Sequence, residues 1–377
     1  MHTMDDFSFT SKTVLVRVDI NSPVKDSIVQ DNPRLKEHSK TIKELSEKGA
    51  KVVVLAHQGR PGDKDFVHTD QHAKILEKHI GKKVTFVNDL YGDLAFVKIK
   101  AMKNGDIILL DNVRMFDDEL LKKKPEMLAK TKFVKVLSKI SDYYINDAFS
   151  VSHRESTSLV GFPFVMTSCI GRVMEKELEA LKNIKEKKPA VLIIGGVKPE
   201  EKIGSVSKKF DYILTGGLQA EIFLKAKGKN LGKSEEFLSA SIIPIAKKKL
   251  KFNVVLPDDF VLEDKEIIKT EKLPSDKIIK DIGPATIEKY KKIISKAKTI
   301  VMDGTLGICE EGFDNGTKEI LKAISESNAF SLMGGGHTTE YIDEMKIADK
   351  FSYISIAGGA LLEFLSGKKF TALKLIK

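Results

Sequence analysis

Lys198 and Lys202 lie four residues apart in PAVLIIGGVKPEEKIG, residues 189–204, so on a helix their ammonium groups stand one turn apart and can reach one chain of phosphates. The run Ala190–Ile194 before them is apolar, rich in β-branched residues and too short for a buried helix. It reads as a strand covered on both faces. The Gly195-Gly196 turn that follows lets backbone N–H groups and the first helical turn approach an anion. The same two lysines also read as a solvated pair on a lysine-rich surface, and the motif alone does not separate the two readings. Arginine is more informative. Only six of the 63 Lys and Arg residues are arginine (Arg17, Arg34, Arg60, Arg114, Arg154 and Arg172), and none follows Arg172. A chain that uses lysine for nearly all its surface charge keeps arginine where a planar, bidentate fork must meet carboxylate or phosphate.

Four of these arginines are expected just past a strand or at a helix start, beside other polar groups. VRVDINSP places Asp19 and Asn21 at the end of the first strand, and AHQGRPG places His57 and Arg60 at the end of the second. DNVR carries Arg114, NDAFSVSHR carries His153 and Arg154, and Arg34 opens the first helix. Such positions converge only if the strands run parallel, which is what the alternating pattern predicts. Strands are expected at 13–20, 51–56, 84–87, 106–110 and 143–146, with a clear helix over 34–47 stopped by Gly49. After a helical stripe of Val173, Leu178, Leu181 and Ile184 the pattern restarts, with strands at 190–194, 212–215, 253–256, 299–303, 330–333 and 353–356. Several of these end in glycines (Gly195-Gly196, Gly216-Gly217, Gly304, Gly334–Gly336, Gly358-Gly359), so a parallel sheet gathers them into a cleft suited to a nucleotide.

Length and composition bound the remaining classes. A chain of 377 residues suits two α/β domains, and no apolar run approaches the roughly 20 residues of a membrane helix. MHTMDDFSF lacks the blocks of a signal peptide, so a soluble cytoplasmic protein is expected. Cys169 and Cys309 have no Cys or His neighbour at metal-ligand spacing and read as buried small hydrophobes. The formal charge of +10 is spread through helical stretches with few aromatics between, which argues for a solvated surface over nucleic acid. GKNLGKS (228–234) is one residue short of a Walker A loop with no strand before it, and GGGHTT (334–339) lacks the third glycine of a dinucleotide fingerprint.

The motifs taken together resemble the phosphoglycerate kinases over nearly the whole chain. They run in order from VRVDINSP through HQGRPG, DNVR, NDAFSVSHR, MEKELEAL, GGVKPEEKIG, DIGPATI, VMDGTLGICEEG and GGGHTTE to AGGALLEFLSG. HQGRPG, SLVGFP, SNAFS and the histidine after three glycines are similar to the archaeal branch. The resemblance implies an α/β protein of two Rossmann-like three-layer lobes with parallel sheets. A phosphoglycerate-binding lobe is expected over 1–172, an interdomain helix over 173–188, a nucleotide-binding lobe over 189–366 and a tail over 367–377 returning toward the first lobe. It implies reversible phosphoryl transfer between 1,3-bisphosphoglycerate and ADP, giving 3-phosphoglycerate and ATP in glycolysis and gluconeogenesis, with Mg2+ on the nucleotide and hinge-bending between lobes.

On matching positions Asp19, Asn21, Arg34, His57, Arg60, Arg114 and Arg154 would hold phosphoglycerate. Lys198 and Lys202 would face the phosphates, and Glu201 would stand near the metal. Gly196, Gly216, Gly217 and Gly283 would line the adenine pocket, Glu310 would take the ribose hydroxyls, and Gly335, Gly336 and Thr338 would offer groups to the nucleotide phosphates. Arg34, Lys198 and Lys202 would carry the catalytic charge. Asp303 and Thr305 depart from the family's Asn and Pro, His337 from its Asp, and Ile356, Ala357 and Leu361 from a more polar, glycine-rich turn. Asp303 is thus expected to place an uncompensated carboxylate beside a polyanion. The competing readings are a non-catalytic paralogue that binds the same ligands and a kinase of another phosphorylated carboxylate.

Overall fold

A computed structural model describes residues 1–376, apart from the side chains at 185, 186 and 201. The chain divides into two compact units, Met1–Leu178 with Lys369–Lys377, and Glu179–Lys368.

The strands of the first unit are β1 (Thr13–Arg17), β2 (Val24–Lys25), β3 (Ile28–Val29), β4 (Lys51–Leu55), β5 (Val84–Val87), β6 (Ile107–Leu110), β7 (Tyr143–Asn146) and β8 (Ser168–Ile170). Six of them form one parallel sheet in the order β5-β6-β4-β1-β7-β8, while β2 and β3 pair as a separate antiparallel hairpin. Both faces of the sheet are covered, which is why its strands are continuous apolar runs. Val14, Val16, Val52 and Val54 feed one core, and Leu15, Val53 and Leu55 the other. The register pairs Arg17 with Leu55 and with Asn146, so the residues just beyond these three strand ends lie side by side along one edge.

The helix Pro33–Glu47 begins where its sequence dictates. Asn32 accepts hydrogen bonds from Arg34 N (2.9 Å) and Leu35 N (3.2 Å), and Pro33 occupies the first helical position. Its buried Leu35, Ile42 and Leu45 anchor it to the sheet, each burial contributing about 2 kcal/mol. This fixes Arg34 on the first turn, beside the strand ends.

The second unit holds β9 (Ala190–Ile194), β10 (Tyr212–Thr215), β11 (Val254–Val255), β12 (Asp259–Leu262), β13 (Ile267–Lys269), β14 (Ile279–Ile282), β15 (Thr299–Asp303), β16 (Phe330–Gly334) and β17 (Tyr353–Ile354). Its main sheet is also parallel, in the order β11-β10-β9-β15-β16-β17. All five residues of β9 and of β15 are buried. A three-stranded antiparallel sheet, β13-β12-β14, was not expected from the sequence: its strands are short, and Ile267 and Lys269 are exposed, so no apolar run announces them. Cys169 and Cys309 are free and buried. No helix among the described residues is long and apolar enough to cross a membrane.

The helix Arg172–Glu186 has residues in both units. Its start is held from the first unit by Asp147, one residue beyond β7. One Asp147 oxygen accepts from Val173 N (2.8 Å) and Met174 N (3.2 Å), and the other lies 2.9 Å from His38 Nδ1. Arg172 reinforces this start through Glu44, Asp5 and Glu175. Removing a buried carboxylate that both caps a helix and faces a histidine should cost about 3 kcal/mol. Asp147→Ala is therefore expected to lower the denaturation midpoint strongly, whereas Asp147→Asn, which keeps an acceptor for the two N–H groups, should lose distinctly less. Equal losses in the two variants would show that the cap contributes nothing.

Candidate functional site

In the first unit the strand-end loops converge on Asp19, two residues past β1 and almost fully buried. Its carboxylate meets Arg34 Nη1 at 2.9 Å, accepts from Asn21 N at 3.1 Å and receives the Ser150 hydroxyl. Burial, the largest single effect, pushes the Asp19 carboxyl up, but the Arg34 guanidinium and the other groups around it, the Ser150 hydroxyl among them, together outweigh it and hold the carboxyl well below the usual range. Asn21 Oδ1 in turn accepts from Gly59 N at 2.8 Å, which ties the loop after β1 to the loop after β4. Gly59 makes that turn at φ +62°, where a Cβ would lie 2.4 Å from the Asp65 carbonyl oxygen, so no other residue fits. Arg114 binds the Gly59 carbonyl from the third side, and its own backbone N–H donates to Asn112 Oδ1 at 3.1 Å.

Asp19, Asn21, His57 and Arg114 are thus brought together as expected, with Arg34 reaching in from its helix. Arg154 belongs to the same field and donates from Nε to His153 Nε2 at 3.2 Å. Arg60 is exposed on the loop that also carries His57 and Gly59. Arg114 shows how unbalanced this field is. Burial, then Arg154 and Arg17, and finally Arg60 push its guanidinium down to about 10, with Glu119 opposing. Guanidinium groups crowded with so few carboxylates form a site that an anion stabilises. The residue that the sequence reading left out of the site is Arg17. As the last residue of an apolar strand in VRVD it has the pattern of a strand residue, yet its side chain is 2 % exposed and lies beside His57.

In the second unit four glycine-ended strands lie adjacent, β10, β9, β15 and β16, and the turns of β9, β15 and β16 meet around one ion pair. Lys202 Nζ lies 3.1 Å from Asp303 Oδ1 and also donates to the backbone carbonyls of Gly195 and, at 3.3 Å, Asp303. An ammonium has three protons, and all three have acceptors here. Gly304, at φ +92°, is required by this arrangement, because a Cβ there would come within 2.1 Å of Lys202 Nζ. Asp303 is therefore not the uncompensated carboxylate expected from its replacement of Asn. It is the counter-ion of Lys202, whose position in the sequence lies 101 residues away. Lys198 caps the helix Pro199–Ser205 with left-handed backbone (φ 64°) and is exposed, so the two lysines are not equivalent.

The expected nucleotide groups fall on these turns in part. Gly216 and Gly217 open the helix Gly217–Ala226, and the Gln219 amide, oriented nitrogen inward, joins the Gly196 and Gly216 carbonyls at 2.9 and 3.2 Å. Gly335 and Gly336 start the helix Gly336–Glu344, and the buried Thr338 hydroxyl accepts from Gly304 N at 3.0 Å. Gly283 caps the helix Pro284–Ile294 and packs on the Asp259 carboxylate. Glu310 is already paired with His337 at 2.7 Å, both side chains being more than half exposed. Ala357 and Leu361 are buried, so their apolar character serves packing. The Glu201 side chain lies outside the described residues, and among the described residues no group of three or more His, Cys, Asp or Glu is placed to hold a metal.

A surplus of guanidinium groups on one sheet edge, and a row of glycine turns carrying lysine on another, is the equipment of a phosphoryl-transfer enzyme built on two α/β units. The model of the phosphoglycerate kinase family matches residues 4–368. Phosphoglycerate kinase of Methanothermus fervidus is 43% identical over 100% of this chain and 97% of its own length. That of Saccharolobus solfataricus is 43% identical over 99% and 96%. The crystal structure of phosphoglycerate kinase from Pyrococcus horikoshii superposes with a TM-score of 0.92 at 38% identity, covering 100% of this chain and 98% of that one. The chain belongs to the phosphoglycerate kinase family.

Breaking a buried pair by removing one partner leaves the other charge uncompensated. Lys202→Met is expected to destabilise the fold by about 3 kcal/mol in denaturant unfolding, and Lys202→Met with Asp303→Leu should recover much of that loss. A double variant no more stable than the single one would mean that the pair is not what costs the variant its stability.

Proposed function

We propose that this chain transfers a phosphoryl group reversibly between the acyl phosphate of 1,3-bisphosphoglycerate and ADP, giving 3-phosphoglycerate and ATP, as a cytoplasmic step of glycolysis and gluconeogenesis. The observation that carries the reading is the under-compensated arginine field around Asp19 and His57. A small molecule bearing both a phosphate and a carboxylate supplies the negative charge that this field lacks. Asp19, Asn21, Arg34, His57, Arg60, Arg114 and Arg154 are assigned to it. The glycine turns of the second unit, with Lys198, are assigned to the nucleotide, and Lys202 is assigned to hold those turns in place.

Transfer of this kind needs positioning and neutralisation of charge on the equatorial oxygens more than a covalent nucleophile. The acceptor is a carboxylate that is already ionised, so no general base is required. Arg34 and Lys198 are assigned the transferring charge. Mg2+ is assigned as an ion carried on the nucleotide phosphates, because that ion takes one or two carboxylates and keeps its other positions for phosphate and water. Glu201 is assigned to meet the metal, at the position where the family has an aspartate, and the ion when bound would offset phosphate charge. Hinge-bending about the helix Arg172–Glu186 is assigned the exclusion of water, which would otherwise hydrolyse the acyl phosphate.

A coupled assay of purified protein with 3-phosphoglycerate and MgATP tests the whole reading, and absence of turnover would favour a non-catalytic paralogue or another phosphorylated carboxylate. Arg34→Ala and Lys198→Ala should each lower kcat by about 100-fold or more with the fold retained by circular dichroism; near-full kcat would remove that residue from the mechanism. In calorimetry, Arg60→Ala should weaken 3-phosphoglycerate binding and leave MgADP binding nearly unchanged. Equal loss of both ligands would contradict separate sites.

A further inference from the structure

We propose that Arg17 is a positioning residue: it fixes His57 as a neutral imidazole with its proton on Nε2, so that this N–H is presented to the anionic substrate. This rests on the assignment of His57 to the phosphoglycerate site.

The argument begins with what a guanidinium can do. It has five donors and no acceptor. Arg17 Nη2 lies 3.1 Å from His57 Nδ1, so the ring nitrogen facing it has to be the acceptor, with its lone pair toward Arg17. A proton on Nδ1 would set two N–H groups against each other inside the protein, which excludes both the other tautomer and the imidazolium. The carboxylate that could reverse this choice is too far away, because Asp19 Oδ1 lies 3.9 Å from Nδ1 and is engaged by Asn21 N. No described residue accepts from Nε2, which leaves that N–H for a ligand.

Arg17 is itself held so that it cannot turn away. Nη1 donates to the Val18 carbonyl and Nε to Ser158 Oγ at 2.9 Å. Ser158 passes its own proton to Glu119 Oε1 at 2.7 Å, while its backbone N–H donates to Oε2 at 2.8 Å. Arg17 and Glu119 are both buried, so the guanidinium has its counter-charge one hydroxyl away, reached through Nε while Nη2 faces the imidazole. The charged groups facing His57 are Asp19 on one side and Arg17, Arg114 and Arg154 on the others. Burial first, with those three arginines adding to it and Asp19 opposing, holds the imidazole well below its usual range. A neutral donor also suits the site chemically: it can bind a carboxylate or phosphate oxygen without adding to the arginine repulsion.

The test uses the full chain with isotope-labelled histidine. In the unmodified protein without ligand, the His57 ring nitrogens should give one hydrogen-free signal at Nδ1 and one protonated signal at Nε2, unchanged between about pH 6 and pH 8. Arg17→Met leaves Glu119 buried without its partner and can fail to fold. The informative variant is therefore Arg17→Met with Glu119→Gln, in which the new amide donates to Ser158 Oγ and accepts from Ser158 N. In that variant His57 should exchange between tautomers and titrate within the window. Its affinity for 3-phosphoglycerate, taken as a ratio to the unmodified protein, should be about tenfold weaker near pH 8, with the loss shrinking toward pH 6 as the imidazole gains a proton. A proton on Nδ1 of the unmodified protein overturns the proposal, as does a double variant whose His57 signals and affinity ratio do not move with pH. If the ring signals behave as stated but 3-phosphoglycerate fails to bind the unmodified protein, the substrate assignment falls and the role of Arg17 toward His57 stands.

Discussion

Parallel pairing is the constraint from which both sites follow. Strands buried on both faces have no place for a charge along their length, and a parallel sheet directs every carboxyl end to the same edge. In the first unit the register that pairs Arg17 with Leu55 and Asn146 makes neighbours of Asp19, His57 and Asp147. In the second, the pairing of Asp303 with Ile194 and with Gly334 brings three glycine turns to one point. A change of one residue in either register would separate these buried groups from the partners that compensate their desolvation.

The two edges handle charge in opposite ways. The first unit leaves guanidinium groups with few carboxylates, and burial, with the neighbouring arginines adding to it, pushes Arg114 down to about 10. That repulsion opposes folding and would be relieved by a bound anion, as the assignment of phosphoglycerate to this edge requires. The second unit closes its buried lysine against Asp303 and two carbonyls, which stiffens the turns but removes one cation from those free to meet phosphate. The exposed Glu310–His337 pair is a third case. With both partners in water, exchange of either for a ligand group costs little.

Much of this was legible in the residues. Ala190–Ile194, Lys51–Ala56 and Thr299–Asp303 could be read as buried parallel strands because four or five apolar or β-branched residues in a row, bounded by glycine or polar turns, have few other uses. The glycine ends located the second edge, and the scarcity of arginine located the first. What stayed hidden depends on contacts distant in sequence. Arg17 looks like one polar interruption of a strand until Ser158, 141 residues on, and Glu119 close around it. Asp303 looks like an intrusion until Lys202 is seen across the turn. The β12–β14 sheet has strands of three or four residues, too short for a period to register.

The departures from the family's pattern are best understood as pairs. A carboxylate in place of an amide at position 303 would repel a nucleotide if it stood alone, at about 1 kcal/mol for a charge some 6 Å from a phosphate even at the dielectric of bulk water. With Lys202 at 3.1 Å its field is that of a dipole, which falls off faster with distance than that of a charge. The same logic holds at position 337, where histidine faces Glu310 at 2.7 Å. In both places the unusual residue sits against a group that the sequence had suggested for a ligand. The chemical meaning of a substitution near such a site is set by its nearest partner rather than by its own type, and that partner is given by the strand order of the sheet.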